Sequence, residues 1–268
     1  MVVLVDGRED GAIDPADRGL NYGDGLFETL AVKDGRARFF GWHFERLAQG
    51  AGRLGIPLPD AGLLREEVAR AWPLGRGVVR IVITRGAGER GYRPPRNPRP
   101  LRIVAGAAWP QQDPASRSQG VRLRWCSTRL GRNPLLAGIK HLNRLEQVLA
   151  RAEWDDPEVA EGLLMDHGGK VISATQANLF VVTAGRLVTP ALDACGVAGV
   201  MRRAFRAWAQ ERGETVVERA VSECEVRGAE GLFLTNALIG AWPVRELDGR
   251  RLSADGRVAA FNAWLERQ

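Results

Sequence analysis

Of the 38 lysines and arginines in this 268-residue chain, only Lys33, Lys140 and Lys170 are lysines. An arginine keeps its proton in any protein environment, whereas a desolvated lysine gives it up, so amine chemistry has few places to occur here. Lys33 in VKDGR and Lys170 in HGGKV sit beside turn residues and read as solvent-facing. Lys140, in PLLAGIKHLNRL, follows an apolar run and precedes a helix-like one. A desolvated amine there attacks a carbonyl to form a Schiff base, while a lysine snorkelling from a half-buried helix start gives the same pattern. In CGVAGVMRR, glycines lead into an amphipathic helix. Bare N–H groups and the positive end of a helix dipole hold phosphate at such a start, although glycine turns cap helices of every kind. Arg46 in HFERL offers a forked guanidinium to the same anion, or lies solvated on its helix. A Schiff-base lysine plus a phosphate cradle is what pyridoxal phosphate requires, whose ring then acts as an electron sink.

The elements that must position these groups alternate between strand and helix. VVLVDG reads as a strand, LFETLAVKDGRARFF as a hairpin about Asp34-Gly35, and HFERLAQGAGRLG and AGLLREEVARAW as helices. The strands GVVRIVITRG and PLRIVAGAAW flank the irregular loop GAGERGYRPPRNPRP, a substrate-rim candidate. PQQDPASRSQG, 110–120, loses periodicity and reads as a linker. Beyond it come the strand VRLRWCST, a helix over 142–153, the strand GLLMD and the hairpin NLFVVTAGRLVTP. The helix after CGVAG, the strand TVVERAV, the single strand GLFLTNALIGAWPV and a closing helix around RVAAFNAWLER complete the chain.

Composition narrows the function classes. With 45% apolar and 26% charged residues the chain reads as globular. Its net charge of +6 is scattered among acids, which argues against a nucleic-acid partner; an anion- or RNA-binding module without catalysis remains an alternative. Three separated cysteines without a CxxC pair fit a reducing cytoplasm, and no leader or membrane-spanning run is expected. His43, His141 and His167 form no spaced pair, so no metal is expected.

The segments VDG, DRGLNYGDGLFETL, HFERL, TRGAGERGY, LLAGIKHLNRLEQVLARAEW, ANLFVV, CGVAGVMR and LTNALIGAWPV together resemble the fold-type IV pyridoxal-phosphate enzymes. This group contains branched-chain and D-amino-acid aminotransferases as well as lyases. The likeness spans nearly the whole chain, and TRGxGxRGY and GIKHLNRLEQ resemble the lyase branch more than the transaminases. It implies a two-domain α/β (α+β) fold, with a small N-terminal α/β domain over 1–114 and a larger, cofactor-binding α/β pseudo-barrel domain over 115–268. It further implies a homodimer that takes pyridoxal 5'-phosphate as cofactor and 4-amino-4-deoxychorismate as substrate, yielding 4-aminobenzoate and pyruvate for folate biosynthesis. Carried over residue by residue, Lys140 bonds the cofactor and Thr29 takes part in proton transfer. Arg46, the amides of Val200 and Met201, and the turn Asn236, Ala237 and Leu238 hold the phosphate. Arg90 and Tyr92 line the substrate rim, and Asn143, read as one helical turn past the lysine, fixes the lysine or the cofactor hydroxyl.

One position departs from the family. Five residues ahead of the asparagine in ANLF, where most members have a glutamate that pairs with the pyridine nitrogen, VISATQANLF has Ser173. A serine hydroxyl donates to a neutral pyridine but cannot hold a pyridinium, so the ring is a weaker electron sink and transamination suffers more than elimination. The alternatives are an acid from elsewhere in the chain, Asp166 being one candidate, or an aminotransferase acting on D- or branched-chain amino acids.

Overall fold

The structure is a computed structural model, and it describes residues 1–111 and 113–268. By contacts the chain divides into two compact units: Met1–Pro110 with Ile139–Asn143, and Gln111–Gly138 with Arg144–Gln268. The short return of Ile139–Asn143 to the first unit, which carries Lys140 with it, has no counterpart in a reading with one boundary. Within the stretch read as a linker, Gln112 lies outside the described residues.

The first unit contains β1 (Val3–Val5), α1 (Arg18–Tyr22), β2 (Gly25–Lys33), β3 (Arg36–Ala37), α2 (Phe40–Leu54), α3 (Ala61–Ala71), β4 (Arg76–Thr84) and β5 (Arg102–Ala108). Its strands form an antiparallel sheet ordered β1-β5-β4-β2-β3. The β2–β3 turn puts Asp34 and Gly35 both at positive φ, 49° and 72°, the geometry that a two-residue hairpin selects Asp-Gly to supply. Side chains alternate across β2. Leu26, Leu30 and Val32 join Leu47, Ala51, Leu64, Val79, Ile81 and Val104 in the core, while Phe27 and Thr29 face the other way. Gly50 of α2 allows the helix to lie close on β2, since a Cβ there would stand 2.8 Å from Leu26.

The second unit begins with α4 (Ala115–Ser118), a single helical turn inside the segment read as a linker, followed by β6 (Val121–Leu130) and α5 (Leu145–Arg151). Next come β7 (Val159–Asp166), β8 (Val171–Ala174), β9 (Asn178–Thr183), β10 (Arg186–Pro190), α6 (Val200–Gln210), β11 (Val216–Arg219) and α7 (Glu223–Gly228). β12 (Gly231–Asn236), β13 (Gly240–Leu247), β14 (Arg250–Arg251) and α8 (Gly256–Leu265) close it. The sheet runs β11-β10-β9-β12-β13-β6-β7-β8 and returns on itself through a β8–β9 pairing, which makes the expected barrel-like layer. Leu163, Leu179, Val181, Leu232, Leu234 and Val244 pack in one apolar cluster of this unit, and Phe180, Phe205, Trp208, Phe233 and Phe261 stack in an aromatic cluster that α6 and α8 help to build.

Three sequence expectations are corrected. GLFLTNALIGAWPV is two antiparallel strands rather than one, because the Asn236 carboxamide oxygen accepts the amides of Leu238 and Ile239 and Gly240 turns at φ 69°. The helix after the lysine starts at Leu145 rather than 142; Lys140 to Leu142 are instead bridged to the start of β2. Asn143 is therefore not a helical turn beyond Lys140.

Candidate active site

Lys140 is set by backbone pairing. The Phe27 amide donates to the Lys140 carbonyl and the Leu142 amide to the Gly25 carbonyl, each at 3.0 Å, so the tripeptide prolongs the sheet beside β2. Opposed in this way, Lys140 shares the face of Phe27 and Thr29, and its Nζ stands 4.2 Å from the Phe27 ring centroid. Arg80, opposite Thr29 in register, puts its guanidinium carbon 4.4 Å from the same centroid. Thr29 is half-buried and its hydroxyl makes no hydrogen bond to a described residue. One face thus brings together a lysine amine, a second cation and a hydroxyl available for proton exchange.

The other face of β2 carries an acid. Glu28 is 1% exposed, and its carboxylate accepts from His43 Nδ1 at 2.6 Å, from Arg46 Nε at 2.7 Å and from Arg46 Nη2. Burial alone raises a carboxyl pKa. Here the charge of Arg46 and the hydrogen bonds of His43 and Arg46 outweigh it and hold Glu28 at about 2. The phosphate-arginine candidate is thus an ordered side chain bonded along one edge to a buried carboxylate. Sequence reasoning missed Glu28; the signal was an acid at a core-facing position of an otherwise apolar alternation, LFETLAV.

Arg90 and Tyr92 lie exposed on the loop between β4 and β5, Tyr92 at 85%. A buried residue anchors that loop: Arg18 donates to the carbonyls of Gly91 and Tyr92 at 2.9 and 3.0 Å while its Nε pairs with Asp24. The Tyr22 ring stands 5.4 Å from that of Tyr92. Asn143 donates its carboxamide to the carbonyl of Gly23, holding the turn that leads into β2.

In the second unit, the N-terminus of α6 follows Gly199, whose extended backbone (φ −65°, ψ 139°) has no capping side chain. A Cβ at Gly199 would lie 2.0 Å from Asn178 Oδ1, so only glycine fits, and the amides of Val200 and Met201 open the helix bare of any side-chain cap. The Asn236–Leu238 turn is tied by its own asparagine, and the buried Thr235 hydroxyl beside it finds no partner among the described residues.

Ser173 pairs with Leu164 and Asn178, and its hydroxyl bonds to no described residue. Neither nearby acid takes over its position. Asp166 accepts from the amides of Gly168 and Lys170 and stands 3.4 Å from Arg132, holding the turn after β7. Glu161, three residues before Leu164, projects from the opposite face of β7. It accepts from the amide of Thr175 at 3.1 Å and from the Thr175 hydroxyl, and burial raises it to about 7 against those donors and the amides of Gln176 and Gly162.

Each unit by itself supplies groups that fit pyridoxal 5'-phosphate: the first a lysine amine on a sheet face and an ordered arginine, the second the uncapped start of an eleven-residue helix whose glycine admits no Cβ and an unengaged serine hydroxyl. The comparisons with known proteins agree. The pattern of the family described as amino-transferase class IV matches residues 25–247. Aminodeoxychorismate lyase of Vibrio harveyi is 36% identical over 259 residues, covering 93% of each chain. A putative branched-chain-amino-acid aminotransferase of Methanocaldococcus jannaschii is 32% identical over 93% of this chain and 89% of its own. Among solved structures, 4-amino-4-deoxychorismate lyase from Pseudomonas aeruginosa superposes with a TM-score of 0.95 at 46% identity, covering 99% of this chain and 98% of that one. From Gly25 to Leu247 this chain therefore belongs to the class IV aminotransferases, the fold-type IV family whose cofactor is pyridoxal 5'-phosphate.

Proposed function

We propose that this protein is a lyase that converts 4-amino-4-deoxychorismate to 4-aminobenzoate and pyruvate in folate biosynthesis. The carrying observation is the shared face of Lys140 and Thr29, an amine and an unengaged hydroxyl on one sheet surface. The lyases of Vibrio harveyi and Pseudomonas aeruginosa support the choice of reaction. So does Ser173, a neutral group where a transaminase profits from a carboxylate.

Bound pyridoxal 5'-phosphate supplies the electron sink. Lys140 would hold it through Nζ, and with substrate bound the same amine would take the proton from the amine-bearing carbon. As the carbon–oxygen bond to the enolpyruvyl group breaks, Nζ and the Thr29 hydroxyl return a proton to the departing enol, which leaves as pyruvate. Arg46, the amides of Val200 and Met201, and the turn of Asn236, Ala237 and Leu238 bind the phosphate. Ser173 would donate to the pyridine nitrogen. Arg90 and Tyr92 receive the substrate carboxylates, and Asn143 keeps the turn before β2 in place.

A homodimer is supported by α5, which exposes Leu145, Val148 and Leu149 at 76, 59 and 62% in a stripe at helical spacing, with Leu135 also exposed at 74%. Three free cysteines agree with a cytoplasmic enzyme. The decisive experiment loads the protein with cofactor, traps the bond with borohydride, maps the label, and assays 4-aminobenzoate and pyruvate. Label on Lys140 with equimolar products is expected, and Lys140→Ala abolishes both. Loaded protein that forms no 4-aminobenzoate but aminates branched-chain or D-amino acids sinks the lyase reading. The aminotransferase is the second reading, favoured by the Methanocaldococcus jannaschii relative. On the lyase reading Ser173→Glu raises transamination; a fall would overturn the role given to Ser173.

A further inference from the structure

We infer that Glu28 and His43 are positioning residues for an anion-binding Arg46, a device that holds the guanidinium in one orientation before the phosphate of the cofactor arrives. The inference rests on the reading that Arg46 takes that phosphate. Three side chains from two elements meet in the interior of one unit: Glu28 on β2, and His43 and Arg46 one turn apart on α2. Glu28 is 1% and His43 3% exposed, and the Arg46 side chain 11%. The carboxylate engages Arg46 through the Nε–Nη2 edge, which by the planarity of the guanidinium directs the Nη1 edge away from it. His43 Nδ1 donates to Glu28 Oε2, so that oxygen is fixed from a second side.

A flexible arginine loses rotamer freedom when it grips an anion, and a side chain already locked by a buried bidentate pair loses less. The arrangement also explains why a carboxylate stands beside an anion-binding group without defeating it. The Glu28 charge is satisfied by three N–H donors, and it engages Arg46 only along the Nε–Nη2 edge among the contacts described. A second function for these buried groups, as a catalytic acid or base, is not indicated. Glu28 lies on the face of β2 opposite Phe27 and Thr29, away from the Lys140 amine.

The test compares two ligands that differ only in the phosphate. Full-length protein freed of cofactor is titrated with pyridoxal 5'-phosphate and with pyridoxal, following the visible absorbance of the lysine-bound form. Glu28→Gln, which keeps the shape but loses the charge and one acceptor, is expected to weaken pyridoxal 5'-phosphate binding about tenfold while pyridoxal binding stays within about twofold. His43→Gln retains an N–H donor to Glu28 and is expected to bind both ligands as the unaltered protein does, whereas His43→Leu shows part of the phosphate-specific loss. Equal losses for the two ligands in Glu28→Gln would reduce Glu28 to a structural role and overturn the inference, as would no loss for either. Arg46→Met separates this from the underlying reading: if it leaves pyridoxal 5'-phosphate affinity intact, Arg46 does not take the phosphate, whatever Glu28 does. If Glu28→Gln fails to fold, His43→Leu against His43→Gln carries the same comparison.

Discussion

Glu28 in the first unit and Glu161 in the second are both buried strand glutamates, 1% and 3% exposed, yet one is held at about 2 and the other pushed to about 7. Each pays the same kind of desolvation penalty. The difference lies in what surrounds the carboxylate. Glu28 meets a guanidinium and an imidazole, whereas Glu161 meets a hydroxyl and backbone amides, which are dipoles without net charge. Burial sets the direction of a carboxyl shift only until a full opposite charge arrives at hydrogen-bonding distance. The ionised acid is consequently found beneath the phosphate-arginine candidate, and the acid that readily keeps its proton is found at the turn after β8.

The largest expected effect is on the charged cluster. Glu28→Ala leaves a buried guanidinium and imidazole facing each other without an anion, and a loss of about 3–5 kcal/mol is expected by chemical denaturation. Replacing the whole cluster, Glu28→Leu with His43→Phe and Arg46→Met, removes the uncompensated charge and is expected to recover most of that loss while abolishing phosphate-specific cofactor binding. A triple variant no more stable than Glu28→Ala would show that packing, rather than charge compensation, distinguishes the two glutamates.

Next in size is the acid limb of stability. The fold favours ionised Glu28, so its contribution is complete above the ordinary carboxyl value of 4.5 and is lost as pH falls towards 2. Stability on the order of 3 kcal/mol should disappear over that window in the unaltered protein. The loss should be much smaller in the triple variant, measured by urea unfolding at successive pH values. A pH profile identical in the two proteins would contradict the cause assigned to the Glu28 shift.

How far the sequence disclosed this arrangement depends on whether a residue acts through local spacing or through long-range pairing. Lys140 stood out by scarcity, the α6 start by its glycines, and the Asp34-Gly35 hairpin by its turn chemistry, all of which are local signals. The alternation in LFETLAVK even separated the two faces of β2. What it could not supply was the partner of each face. His43 lies 15 residues from Glu28, and neither its spacing nor that of Arg46, which the sequence offers to an anion or to solvent, points to a shared acid, because their convergence depends on α2 crossing β2 at Gly50. The helix expected over 142–153 failed at its start for a similar reason, since backbone pairing with β2 engages residues 140–142 in place of helical bonds. The apolar run GLFLTNALIGAWPV was misread because one asparagine turn folds it into a buried hairpin.

A smaller effect probes the neutral shell of Glu161. Thr175→Val removes the hydroxyl donor and leaves a buried carboxyl with fewer partners, and a loss of about 1–3 kcal/mol at neutral pH is expected. Thr175→Ser, which keeps the hydroxyl, should lose clearly less. If the two substitutions cost the same, the methyl group's packing rather than the hydrogen bond secures the turn after β8.

The last effect carries the sharpest sign. Because the fold favours protonated Glu161, the native state keeps a proton between 4.5 and about 7 that the unfolded chain has already released. Stability from this group therefore falls as pH rises through that window, the opposite of Glu28. Glu161→Gln has no proton to lose and can still accept the Thr175 hydrogen bonds through its carboxamide oxygen, so it should match the unaltered protein near pH 5 and exceed it by about 2–3 kcal/mol at pH 8. Thermal unfolding of both proteins at the two pH values reads the difference directly. A Gln variant that is less stable at pH 8 by as much as at pH 5 would mean that Glu161 is ionised throughout, and the contrast between the two glutamates would then have to be traced to hydrogen-bond number instead of charge.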